Sequence, residues 1–154
     1  MKVFIISAGT KGSGIAQVFA TKGFQTILCD IEDKFLEMGY SIIENNLARL
    51  VKKDIISEDK KDKILLNIKK TTDKNDAKDC HLTIEAVVEN IEIKKALFKE
   101  LEQIAGKDAI LATNTSSLSI TEIASSLKDP SRLLGMDFLN IRLCEFCGSD
   151  IMRA

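Results

Sequence analysis

The sequence lacks an excess of either charge. Its 154 residues carry 22 Lys and Arg against 23 Asp and Glu, a formal net charge of −1. That balance argues against a general nucleic-acid binder, which carries clustered positive charge. Long apolar runs are also missing. None approaches the roughly 20 residues that a membrane-spanning helix needs. The N-terminus opens straight into the strand-like KVFII without the charged, apolar, small-residue order of a signal peptide. A soluble cytoplasmic protein, with no nucleic-acid or membrane partner, is the expectation. There are no repeats or low-complexity segments, and the single proline, Pro130, falls between elements. Four cysteines are far too few for a disulfide scaffold. Cys29 and Cys80 lie in or beside apolar stretches and read as small buried side chains. Cys144 and Cys147 form a CxxC, the pattern of half a zinc site or of a redox pair, but no second CxxC or HxxxH supplies the other two ligands of a zinc site. No metal is expected. The only histidine is His81.

What is present is an alternation of strands and helices. Short, continuously apolar runs at residues 2–6, 26–29, 82–87, 109–112 and 132–138 read as buried parallel strands. Helical spacing appears at 13–21, 33–53, about 58–67, 91–104 and 120–126, with Ser57 as an N-cap and Gly23 and Gly106 as stops. This pattern predicts an α/β fold with a parallel sheet and two helices inserted after the second strand. The stretch from 52 to 78 is rich in both charges and reads as a solvated helical face.

After the first strand comes SAGTKGSG. The dinucleotide fingerprint GxGxxG places glycines where this chain has Ser7, Gly9 and Gly12. Gly9 lets the backbone approach a pyrophosphate, and Gly12 permits close helix–strand packing. Ser7 fits the first position only if its backbone avoids the region closed to residues with a Cβ. Lys11 either pairs with phosphate or points to solvent. Asp30 lies 18 residues after Gly12, at the end of the second strand. That is near the spacing of a carboxylate that accepts from ribose hydroxyls, although it also suits a cap for the next helix. No Arg or Lys follows it immediately, which favours NAD over NADP. A Rossmann-type doubly wound sheet is the expected architecture.

Four segments, GTKGSGIAQVFA, IEAVVENIEIKKALF, LATNTSSLSITEIAS and RLLGMDFLN, together resemble the NAD-dependent 3-hydroxyacyl-CoA dehydrogenases, in particular the bacterial 3-hydroxybutyryl-CoA enzymes of that family. The resemblance covers about residues 1–140. It implies NAD as cofactor, an acyl-CoA substrate and reversible oxidation of 3-hydroxyacyl-CoA to 3-oxoacyl-CoA. It also implies roles for particular residues. Glu89 and Lys94 line the nicotinamide-ribose side, Ser116 touches cofactor and the substrate's 3-oxygen, Asn140 binds cofactor, and Lys53 contacts the CoA phosphates. Each has a plainer account: an acid at a helix N-terminus, a surface lysine, a Ser/Thr-rich turn capping a helix.

The same resemblance exposes departures. The family's catalytic histidine, in H-F-F-N-P, is replaced by Asp137 in DFLNI, and the glutamate expected twelve residues on by Ser149. An aspartate has an unperturbed pKa of about 3.9 against about 6.5 for histidine, so it is a poor stand-in base at neutral pH. His81 begins a different strand and cannot substitute. From Ile141 onward no family pattern is visible, and the family's all-helical C-terminal domain is not found. The expectation is therefore an NAD-binding domain at 1–140, truncated at its C-terminal end, and a 141–154 tail such as a shifted reading frame would produce. Three functions compete: a dehydrogenase, expected to be inactive or severely impaired in this chain alone; a non-catalytic nucleotide-binding module; and an inactive remnant. The 132–138 strand would then be an open sheet edge able to pair with a second copy.

Overall fold

The computed structural model describes residues 1–138. Strand β1 (Lys2–Ile6) leads into helix α1 (Thr10–Thr21), followed by β2 (Gln25–Cys29), α2 (Asp33–Lys52), α3 (Glu58–Leu66) and β3 (Ile68–Thr71). A 3-10 turn (Lys74–Asp79) precedes β4 (Leu82–Glu85), α4 (Ile91–Ile104), β5 (Ile110–Thr113) and α5 (Ile120–Ala124). A second 3-10 turn (Pro130–Arg132) leads into β6 (Leu133–Gly135). The six strands order as β3-β2-β1-β4-β5-β6, and every pairing is parallel. This is the doubly wound dinucleotide-binding topology, with the order reversing between β1 and β4.

The continuous apolar character of β1 has a direct cause. Alternate side chains point to opposite faces of a strand, and both faces are covered. Val3 and Ile5 pack with Ile15, Ala16, Leu36, Ile43 and Leu47 of α1 and α2. Phe4 and Ile6 pack with Phe98, Leu101 and Ile123 of α4 and α5. Cys29 and Cys80 are buried, and burial pushes the Cys29 thiol up to about 12. Gly23 ends α1 at φ +85°, a conformation glycine adopts without penalty. The Ser57 hydroxyl caps α3 by accepting from Lys60 N at 3.2 Å. Among the described residues no helix is long and apolar enough to cross a membrane.

Three expectations need correction. The charged stretch is not all helix, because it contains β3, an edge strand beside β2. Only Ile68 of β3 is buried, while Lys69 and Lys70 pair with Asp76 and Glu37. An edge strand with lysines on it carries no apolar signature. The fourth strand stops at Glu85 rather than Val87, because the Glu85 carboxylate accepts from Val87 N at 2.6 Å and folds the chain out of the sheet. The last strand is shorter than read. Arg132 closes a 3-10 turn, with its guanidinium donating to the carbonyls of Gly106 and Ala109, and β6 ends at Gly135. Asn140, Cys144, Cys147, Ser149 and the proposed 141–154 tail lie outside the described residues.

Candidate functional site

The carboxyl ends of β1, β2, β4 and β5 lie on one edge of the sheet, and the switch in strand order opens a crevice there. Two constellations of side chains and loops meet at this edge.

The first is the β1–α1 turn. Ser7 has φ +87°, inside the left-handed region, so the condition set for a residue with a Cβ at this position is not met and Ser7 occupies it all the same. The turn demands that conformation, and Ser7 adopts it at a steric cost that glycine would not meet. Its N–H is fixed by Cys29 O at 2.9 Å. Gly12 is required by packing: a Cβ there would lie 1.7 Å from the Ser7 carbonyl oxygen. Gly9 is different, since a Cβ would meet only Ser7 Oγ, at 3.5 Å. Gly9 is the N-cap of α1, and no side chain caps the helix. The first N–H groups of α1 are therefore open to an anion. Gly39 of α2, which the sequence reading passed over, packs on the same turn. A Cβ there would lie 2.3 Å from Ala8 O and 2.7 Å from the Ser13 hydroxyl, which itself donates to Ala8 O. A glycine inside an amphipathic helix costs about 1 kcal/mol against alanine, and that was the available signal.

Asp30 faces this turn. Its Oδ2 accepts from Ala8 N at 2.6 Å and its Oδ1 from Ile31 N at 2.7 Å. It does not cap α2, whose N-cap is Glu32. Each carboxylate oxygen retains acceptor capacity for a further donor such as a ribose hydroxyl. Lys11 is exposed in the first turn of α1.

The second constellation joins β4 and β5. Glu85, wholly buried at the end of β4, accepts from Lys94 Nζ at 2.5 Å, from Val87 N at 2.6 Å and from the Thr113 hydroxyl at 2.8 Å. Lys94 is 0% exposed, so the surface-lysine account of it fails. Its ammonium also lies 3.7 Å from Glu89. Glu89 accepts from the Thr115 hydroxyl at 2.6 Å and from Ser117 at 3.3 Å. Burial raises its pKa, but the Thr115 bond, the Lys94 charge, the Ser117 bond and the Lys11 charge together hold the carboxyl below its ordinary value. The helix-capping role near Glu89 belongs to Asn90, whose side chain accepts from Glu92 N and Ile93 N.

Ser116 is exposed between Thr115 and Ser117. The capping duties nearby fall to Thr115, which accepts from Leu118 N, and to Ser119, which accepts from Glu122 N. Asn114, missed by sequence, is buried at the end of β5. Its Oδ1 accepts from Phe138 N at 3.2 Å, tying the segment after β6 to β5. Its Nδ2 is buried with no partner among the described residues. Asp137, next to Phe138, is exposed. Lys53, exposed at the C-cap of α2, lies 14 residues beyond Gly39, about 21 Å along the helix. His81 lies at the opposite edge, where its Nδ1 accepts from Lys2 N.

The residues present fit a dinucleotide. Gly9 and the uncapped α1 offer a diphosphate cradle, Asp30 an acceptor for one ribose, and the β4–β5 side polar groups including the unpartnered Asn114 amide. A cavity of about 430 Å³ bordered by Lys2, Gln25, Asn67 and Asp79 lies instead at the amino edge of the sheet. Ligands of such sheets bind beyond the carboxyl ends.

Comparison with known proteins agrees with this geometry. The chain matches the family described as "3-hydroxyacyl-CoA dehydrogenase, NAD binding domain" over residues 2–147. It is 45% identical over 140 residues to a 3-hydroxybutyryl-CoA dehydrogenase of Clostridioides difficile, covering 91% of this chain and 50% of that protein. To the enzyme of that name from Bradyrhizobium diazoefficiens it is 41% identical over 139 residues, covering 90% and 47%. The crystal structure of (S)-3-hydroxybutyryl-CoA dehydrogenase from Ralstonia eutropha superposes with a TM-score of 0.88 at 38% identity, covering 91% of this chain and 50% of that one. The chain thus spans about half the length of the curated relatives it matches.

Proposed function

Because the chain belongs to the 3-hydroxyacyl-CoA dehydrogenases through their NAD-binding domain, we propose that it forms the cofactor-holding portion of an enzyme interconverting 3-hydroxyacyl-CoA and 3-oxoacyl-CoA, with short acyl chains such as 3-hydroxybutyryl. The observation that carries this reading is Asp30 Oδ2 held at 2.6 Å from Ala8 N, beside an uncapped helix N-terminus. It supports reading Asp30 as a ribose acceptor beside a diphosphate cradle. Bound NAD would supply the hydride acceptor at C4 of its nicotinamide. The chain's own residues bind and orient. Gly9 and the first amides of α1 hold the diphosphate. Asp30 accepts from the adenosine ribose, and its charge would repel a 2′-phosphate, which favours NAD over NADP. Glu89 and Ser116, in the loops that follow β4 and β5, would hold the second half of a dinucleotide bound at the switch point. Glu89 accepts from that ribose, and the Ser116 hydroxyl donates to the substrate's 3-oxygen. Lys53 would pair with a CoA phosphate, and Asn140 would add a cofactor contact.

One observation favours a second reading, binding without turnover. The position where the resemblance places the catalytic histidine holds Asp137, which is exposed. The one histidine of the chain lies at the far edge. The two readings separate in one pair of measurements, calorimetric titration with NADH and NADH consumption with acetoacetyl-CoA. Saturable binding with turnover supports the dehydrogenase, and saturable binding without turnover supports the second reading. Absence of heat and of thermal stabilisation at millimolar NADH contradicts both. The cytoplasm is the compartment such an enzyme would occupy. Among the described residues β6 pairs on one side only, so its outer edge could accept a strand from a second copy. Monomeric elution would exclude that.

A further inference from the structure

Glu85 is the most thoroughly engaged side chain at the carboxyl edge, and the reading above gives it no role. It is 0% exposed, three donors converge on it, and it stands at the carboxyl end of β4. A buried ion pair contributes little net stability against an apolar pair of the same shape. Its presence here therefore invites a reason other than stability.

The charges supply one. The Lys94 ammonium stands between two carboxylates, 2.5 Å from Glu85 and 3.7 Å from Glu89. Two carboxylates against one ammonium leave one net negative charge. Of the three groups only Glu89 is open to solvent, at 37% exposure. The Thr113 hydroxyl on Glu85 Oε2 and Val87 N on Oε1 fix the buried carboxylate, so Lys94 cannot move wholly to Glu89. The net charge is thereby presented on the β4–β5 side of the groove. If the diphosphate lies at α1 and the adenosine ribose at Asp30, this is the nicotinamide side. The nicotinamide ring is cationic when oxidised and neutral when reduced. Lys11, at the solvent-exposed mouth, carries opposite charge that salt screens far more than the buried pair.

We propose that the buried Glu85–Lys94 pair, keyed by Thr113, is a positioning device that sets the charge presented through Glu89 and so biases the groove toward the oxidised cofactor. The inference rests on the cofactor-binding reading above. Glu85 touches no ligand in this scheme and acts only through Lys94 and Glu89.

The test is the ratio of dissociation constants for NAD⁺ and NADH, measured by calorimetry on the full chain and on E85Q, K94M and the double variant E85Q/K94M. E85Q removes one negative charge and raises the NAD⁺/NADH ratio about five-fold, the order expected for one unit charge near a site of intermediate effective dielectric. K94M removes the positive charge and lowers the ratio by a similar factor. The double variant restores the net charge, and its ratio returns to within about two-fold of the parent. A merely structural role would weaken both cofactors equally and leave the ratio fixed, and that result overturns the proposal. Where a single variant folds only marginally, the ratio is read from the shifts that NAD⁺ and NADH each produce in its urea midpoint. The two singles move it in opposite directions, so either one decides. If the parent chain binds neither cofactor, the underlying reading fails first. If the parent binds and the ratio never moves, only the charge-setting role fails.

Discussion

Around the β1–α1 turn, the holding is done by backbone. Ser7 N, Ala8 N and Ile31 N are the donors, Cys29 O and one carboxylate the acceptors, and two glycines make room. Around the β4–β5 ends, it is done by side chains: Glu85, Lys94, Thr113, Thr115, Glu89 and Asn114 bond across elements that are distant in sequence. The backbone side fails when a methyl group is added. The side-chain side fails when a charge is left without its partner. Those two modes of failure set the order of effects.

The largest belongs to the side-chain side. Glu85→Ala leaves the Lys94 ammonium buried without its closest partner. Breaking one member of a buried pair costs about 3–5 kcal/mol, whereas E85Q/K94M is expected to lie near the parent. Urea unfolding of the three proteins checks this, and equal losses in both variants would place the stability in packing alone. Next comes Gly12→Ala. Alanine gains about 1 kcal/mol of helix propensity, but its Cβ would meet a backbone oxygen at 1.7 Å, so a net loss of about 2–3 kcal/mol is expected. A stabilised G12A would mean that the turn relaxes easily.

Smaller and opposite in sign is Ser7→Gly. It relieves a left-handed serine and raises stability by about 0.5–1 kcal/mol after the extra chain entropy of glycine. Thermal melting would show the midpoint rising. The smallest effect is the pH dependence from Glu89. Its folded pKa is below its unfolded value of about 4.3, so its contribution is complete above that pH and lost as pH falls through the folded value. The stability difference between the parent and Glu89→Gln should be flat from neutral pH to about 5 and shrink below about 4.

The same contrast governs what sequence could reveal. The turn was legible because its requirements are local: Gly9, Gly12 and Asp30 sit at fixed spacings that a single sequence displays. Ser7 broke the pattern, and only the backbone angle showed that it had taken the conformation of the glycine it replaces. Glu85 and Thr113 were not legible. Each lies in an apolar strand run, and their partnership joins residues 28 apart. Glu89, Lys94 and Ser116 were named through the family resemblance, not through spacing, and the burial of Lys94 could not be foreseen from a helix of alternating charges. Strand β3 was hidden by its lysines. The packing of Gly39 on Ala8 needed the helix–turn approach to be seen.

The central claim is that one dinucleotide spans both constellations. Amide hydrogen exchange with and without saturating NADH tests it most directly. The account predicts slowed exchange at residues 7–12 and 30–31 and, together with them, at 86–90 and 114–118. Slowing confined to the glycine turn, with the β4–β5 loops unchanged, would contradict it.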